Sequence, residues 1–209
     1  MRSQSVSECA TEHQAADRIT TIFRPVAISI GTFQGLCLVR NLSPEGMMGH
    51  VHTDIEVGAS ITVQMLGNLD LVGHIVWAKE GRIGVQFNRR IDVTDVLQKM
   101  SRRVLDGNIQ RAPRINIPCK ADLYIGQQLH HISVLDVSQG GAKIIMDGLR
   151  IDQEVTIIVE GLDSRRAKIC WTKANQVGLT FFRELTFAEL TQWAIAMHHR
   201  KKNEQQISH

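Results

Sequence analysis

Short apolar runs separated by turn residues fill most of the chain. In the first half they are VAISI (26–30), LCLV (36–39), ITVQM (61–65), LVGHIVW (71–77) and IGVQF (83–87). In the second half they fall at 115–124, 131–137, 141–145, 154–159, 166–171 and 177–181. Gly-Thr, Pro-Glu-Gly, Gly-Asn, Glu-Gly, Gln-Gly-Gly and Asp-Gly punctuate them. Strand-length runs at this spacing predict a small antiparallel barrel in each half. The periodicity then becomes helical. Leu190, Trp193, Ala194 and Met197 share one helical face behind Thr186 and Glu189, which form a Thr-x-x-Glu capping box. After Asp92, a candidate cap, Val93, Val96, Leu97, Met100 and Val104 make the matching stripe, with Gly107 as a stop. Such a stripe plugs an open barrel end or, less often, forms a dimer contact, which leaves a homo-oligomer open.

The two halves repeat one another. IVWAKEGRIGVQF (75–87) and ICWTKANQVGLTF (169–181) share Ile, Trp, Lys, Gly and Phe at an offset of 94. Upstream, NLSPEGMMG (41–49) echoes DVSQGGAKI (136–144) at an offset of 95. Downstream, Val93, Val96 and Met100 fall at the places of Phe187, Leu190 and Ala194. Three matches in order, with the one-residue drift of a loop insertion, indicate a tandem duplication. The expected units are 18–106 and 107–202, flanked by a disordered tail at 1–17 and a polar, disordered tail at 203–209 (KKNEQQISH includes its end).

Composition excludes several classes. With 43% hydrophobic and 22% charged residues the chain is an ordinary globular sequence. No apolar run approaches the roughly 18 residues of a membrane span. The first residues lack the apolar stretch of a secretory signal. The net charge of +3 is too small to argue for bulk nucleic-acid binding, and aromatics are only 5%, against a stacking platform for single strands. Charge is uneven: residues 1–100 hold nine Lys/Arg against ten Asp/Glu, and 101–209 hold fifteen against eleven. An anionic ligand therefore belongs to the second half. Cys9, Cys37, Cys119 and Cys170 are too dispersed for a zinc knuckle or a redox pair and read as reduced thiols in a cytoplasmic protein. His130-His131, His198-His199 and His50-x-His52 show no third metal ligand and read as solvent-facing. No nucleophile elbow, Walker loop, HExxH or paired-carboxylate signature is present, so no enzyme, metal or cofactor is expected.

Two features carry the candidate chemistry. The joining segment 101–114 holds four arginines, Arg102, Arg103, Arg111 and Arg114, and reads as a solvated linker or an anion clamp. Asp136-Val-Ser138-Gln-Gly-Gly141 sits between two apolar runs, where Asp and Ser commonly bond turn amides and glycine permits a left-handed backbone. Gln110-Arg111-Ala-Pro-Arg114 followed by Asp136-x-Ser138-x-x-Gly141, then Trp171, Gly178-x-x-Phe181 and a helix, resembles the PilZ domain, a bacterial receptor module for cyclic di-GMP. The resemblance spans about 109–200, and again about 20–104 through Asn41, Ser43, Gly46, Trp77, Gly84 and Phe87. It implies two tandem six-stranded antiparallel β-barrels, each followed by a C-terminal α-helix.

The resemblance implies a cyclic di-GMP site at Gln110, Arg111, Arg114, Asp136, Ser138 and Gly141, and a weaker one at Arg24, Asn41, Ser43 and Gly46. The family pattern opens with RxxxR. Here Gln110 stands at the first arginine place, and Arg111 matches an additional arginine within the motif. In the first copy, counting back from Arg24 gives Thr20, and Arg18 is six residues away. An arginine fork can meet guanine N7 and O6, stack on the purine and bridge to phosphate. An Asp or Asn oxygen can accept from the guanine N1–H edge, Ser138 can donate to phosphate or base, and Gly141 allows close backbone approach. The linker 107–114 is expected to fold over the ligand and change the angle between the barrels. An effector protein is expected as partner, and the alternative function is a degenerate adaptor that binds a protein and no nucleotide.

Overall fold

The computed structural model describes residues 19–65, 69–105 and 112–207. The expected tail 1–17, the stop at Gly107 and the candidates Gln110 and Arg111 lie outside them. The first unit comprises β1 (Thr20–Ile30), β2 (Phe33–Leu42), β3 (Gly46–His50), β4 (Ser60–Met65), β5 (Leu69–Lys79), β6 (Arg82–Phe87) and α1 (Val93–Leu105). The second comprises β7 (Arg114–Ile115), β8 (Cys119–Ile125), β9 (Gln128–Ser138), β10 (Gly141–Ile145), β11 (Glu154–Val159), β12 (Arg165–Lys173), β13 (Gln176–Phe181) and α2 (Phe187–Ile207).

Both units are closed six-stranded antiparallel barrels. The first runs β1-β2-β3-β6-β5-β4 and closes through β1–β4 pairing. The second runs β8-β9-β10-β13-β12-β11 and closes through β8–β11. Closure pairs both edges of each six-stranded barrel, and the two-residue β7 adds on alongside β9. Alternating side chains fill each interior: Val39, Ile61, Val63 and Ile75 in the first, Leu123, Val134, Ile144 and Ile169 in the second. Val96 of α1 enters the first core, and Leu190, Trp193, Ala194 and Met197 of α2 enter the second, as the helical stripes predict. The capping box forms as drawn: Glu189 N–H donates to Thr186 Oγ1 at 3.1 Å, and Thr186 N–H donates to Glu189 Oε2 at 2.6 Å.

Three elements differ from expectation. β3 (GMMGH) was not visible as an apolar run because two glycines dilute it. The run 115–124 is broken into β7 and β8 at 116–118, where Pro118 has no N–H to offer a ladder. The segment 203–207 continues α2 rather than forming a disordered tail. Lys201, Lys202 and Glu204 have good helix propensity, and the preceding turns are already fixed by packing.

The barrels meet along α2. Phe187 near its start approaches the His52 ring at 6.0 Å, and His198 meets Phe33 edge-on at 5.3 Å. Leu36 of β2 is 2% exposed and packs with the second core. Asn116 N–H donates to Gln34 Oε1 at 3.1 Å, tying the β7–β8 break to β2.

Candidate functional site

Both copies build the same hairpin. Ser43 pairs across a two-residue turn with Gly46, and Ser138 with Gly141. Each serine hydroxyl donates to the glycine carbonyl, at 3.1 and 3.2 Å. Each turn is pinned from outside: Phe87 N–H donates to Glu45 O and Ile91 N–H to Pro44 O, while Phe181 N–H donates to Gly140 O and Leu185 N–H to Gln139 O. A Cβ on Gly46 would collide with the Val85 carbonyl oxygen, and one on Gly141 with that of Leu179. These glycines therefore let two strands approach. Ser138 is only 4% exposed, and its hydroxyl is committed to the hairpin.

A bulge just before the hairpin sets what faces outward. In β9 the register shifts between the Lys143–Asp136 and Ile144–Val134 pairs, leaving Leu135 unopposed. Val134 and Val137 can then both enter the core, and Asp136 stands on the outer face. β2 carries the same bulge at Arg40, so Val39 and Leu42 are core and Asn41 faces out.

Asp136 is 2% exposed and holds two cations. Its Oδ1 lies 2.6 Å from Arg114 Nη1, and its Oδ2 lies 2.9 Å from Lys143 Nζ. A buried carboxylate requires such pairing. The register explains the contacts. Lys143 is directly across the ladder from Asp136, and Arg114, opposite Ser138, is its diagonal neighbour within reach of a long side chain. Both cations remain about one-third exposed. Glu184 stands beside Gly140 at the turn. Across the outer face, Lys143 pairs with Gly178 and Gly178 with Trp171, whose indole packs over the glycine.

The structure thus brings Arg114, Asp136, Ser138 and Gly141 together. Lys143 joins them, and sequence reasoning missed it. A two-residue turn pairing 138 with 141 already implies that 136 faces 143, so the hairpin arithmetic could have found it.

In the first barrel Asn41, Ser43 and Gly46 are likewise together, but Arg24 is not with them. Arg24 pairs with Val39, beyond the irregularity in β1. One step back from the Thr20–Leu42 pair stands Ile19, in the place Arg114 has in the second barrel, and it is 66% exposed. Met48 pairs with Asn41 where Lys143 pairs with Asp136. The row then continues identically through Gly84 and Trp77. Arg114, Asp136 and Lys143 thus become Ile19, Asn41 and Met48 on the same scaffold.

Elsewhere, His131 Nδ1 lies 2.7 Å from Asp122 Oδ1, and no group of three or more His, Cys, Asp or Glu able to hold a metal occurs among the described residues. Cys37, Cys119 and Cys170 are free thiols, and burial pushes Cys37 up to about 12. No helix among the described residues is long and apolar enough to cross a membrane.

The PilZ domain family matches residues 13–106 and again 108–194. Among solved structures, PlzA of Borreliella burgdorferi in complex with c-di-GMP is 12% identical with a TM-score of 0.37, over 85% of this chain and 93% of that one. The inhibitor of motility MotI (DgrA) of Bacillus subtilis is 12% identical with a TM-score of 0.35, over 88% and 98%. YcgR of Escherichia coli in complex with c-di-GMP is 11% identical with a TM-score of 0.33, over 88% of each chain. No curated protein matches this chain.

Proposed function

The chain belongs to the PilZ domain family, twice over, and from that premise we propose that it is a cyclic di-GMP receptor whose ligand binds at the second barrel. The observation that carries this is Arg114, locked to the buried Asp136 at 2.6 Å with about a third of its side chain still exposed. Among the described residues one of its five N–H donors is used, and the others can meet guanine N7 and O6 or a phosphate oxygen. Asp136 has both oxygens occupied in this state. Its role is to hold the cations, or to exchange one of them for the guanine N1–H edge. Ser138 and Gly141 shape the hairpin that presents Asp136. The family pattern assigns Gln110 and Arg111 to the same ligand, with Gln110 a neutral donor where that pattern has arginine. The protein acts as a cytoplasmic receptor or adaptor, without catalysis, and passes the signal to an effector protein.

The path for such a signal begins at β7. Arg114 is two residues from Asn116, whose N–H is held by Gln34 of the first barrel. Ligand engagement of Arg114 pulls on this connection and shifts the first barrel relative to the second. Small-angle scattering and linker hydrogen exchange that stay unchanged on saturation would remove the rearrangement and leave the binding intact.

Isothermal titration of cyclic di-GMP tests the receptor role. Low-micromolar or tighter binding is expected, as one nucleotide or a stacked pair, with loss in Arg114→Ala and Asp136→Ala. Removing one charge-assisted bond costs about 1.5–3 kcal/mol, or about one to two decades in affinity. No heat up to hundreds of micromolar would refute it. That outcome would favour a protein-binding adaptor, which Ile19, Asn41 and Met48 in the first barrel already suit.

A further inference from the structure

We propose that Lys143 is a ligand-facing cation of the second barrel that takes a phosphodiester oxygen of the nucleotide. The proposal rests on the receptor reading above and adds a residue to its site. The argument begins with charge. Asp136 is one buried carboxylate, and Arg114 alone suffices to neutralise it. Lys143 adds a second cation on the other oxygen, so the cluster carries a surplus positive charge. A surplus charge held at a fixed place is suited to an anion. Lys143 is 31% exposed and, among the described residues, uses one of three ammonium donors on Asp136. The others are available to a ligand that reaches Arg114, because both cations sit on the same carboxylate.

The first barrel is an internal control. It keeps the bulge, the serine–glycine hairpin and the Trp-over-Gly row, yet has Met48 at the place of Lys143. The barrel therefore closes without a lysine there. Met48 also comes with Asn41 and Ile19, so the three charges appear together or not at all. A lysine needed to close the barrel would be kept in both copies, whereas Lys143 comes with the arginine and the aspartate. Division of labour follows from donor geometry. The planar fork of Arg114 matches a guanine edge, whereas a compact ammonium matches a phosphate oxygen.

The test is titration of cyclic di-GMP into the full chain carrying Lys143→Met or Lys143→Arg, with Lys79→Met as an exposed control on the first barrel. Phosphorus NMR of the saturated complexes and thermal melting accompany it. We expect Lys143→Met to weaken binding about 10- to 100-fold and to shift the bound phosphorus resonance. Lys143→Arg should restore most of the affinity, and Lys79→Met should change neither. Wild-type binding with Lys143→Met within twofold of it overturns the proposal and spares the receptor reading. So does weaker binding with an unmoved phosphorus resonance, since Lys143 would then act only by holding Asp136. A wild type that does not bind at all overturns the receptor reading, and this proposal with it.

Discussion

A serine or glycine in a short motif does not declare its partner. Ser138 and Gly141 were legible as a unit from the spacing Asp-x-Ser-x-x-Gly, but the hydroxyl could have served a ligand or the backbone. The structure gives it to the Gly141 carbonyl, as it gives Ser43 to Gly46. Chemistry and architecture separate only when the two copies are overlaid in register. What both barrels keep shapes the barrel, and what changes is Arg114, Asp136 and Lys143. Lys143 escaped notice because lysine on a strand is ordinary, and only its cross-strand address makes it special. The architectural role of the glycines has a direct consequence. Gly141→Ala places a methyl on the Leu179 carbonyl, and Gly46→Ala places one on that of Val85. Neither backbone oxygen can move without parting two strands. Each substitution should cost about 1–3 kcal/mol in urea unfolding, and Gly46→Ala should do so without altering nucleotide affinity at the second barrel. Wild-type stability in both variants would show that the strands are not in close contact there.

Elements were read well where a single periodicity governed them and poorly where a local irregularity did. The stripe of α2 and its capping box follow from sequence alone. β3 did not, because its pairing with β2 and β6 stabilises a glycine-rich segment that has little preference of its own. The break at 116–118 and the bulges at Arg40 and Leu135 are likewise tertiary decisions. The capping box can be tested by titration. Bonds from the Thr186 backbone and the pairing with Arg165 at 2.7 Å hold the Glu189 carboxyl down at about 2, against an ordinary 4.5. A depressed carboxyl pKa stabilises the fold above the ordinary value, and that stabilisation is lost as pH falls towards the native one. Glu189→Gln should therefore lower the melting temperature at pH 7. The gap from wild type should narrow between pH 4.5 and pH 2. A gap independent of pH would assign the loss to something other than the carboxylate.

At the scale of the molecule, duplication was evident in the sequence but the contact between the copies was not. It depends on which face of α2 remains once Leu190, Trp193, Ala194 and Met197 are buried in the second barrel. Phe187 and His198 lie on the flank left over, eleven residues or three turns apart, and they meet His52 and Phe33 of the first barrel. The helix is thus a shared wall, and the junction should respond to acid. Burial lowers the His198 pKa from 6.5, and the neighbouring His199 and Lys202 lower it further. The native state favours the neutral ring, so its contribution is present above about 6.5 and fades as pH falls through that range. His50, lowered by burial and by Arg40, Arg82 and His52, adds a parallel dependence from within the first unit. A melting series from pH 8 to pH 5.5 should show wild type losing stability, and His198→Gln losing less across the same interval. If the variant tracks wild type throughout, His50 carries the dependence. If instead the slope flattens, protonation at His198 loosens the wall next to the Gln34–Asn116 bond, and the barrel rearrangement proposed above, if ligand drives it, should be larger at pH 6 than at pH 8.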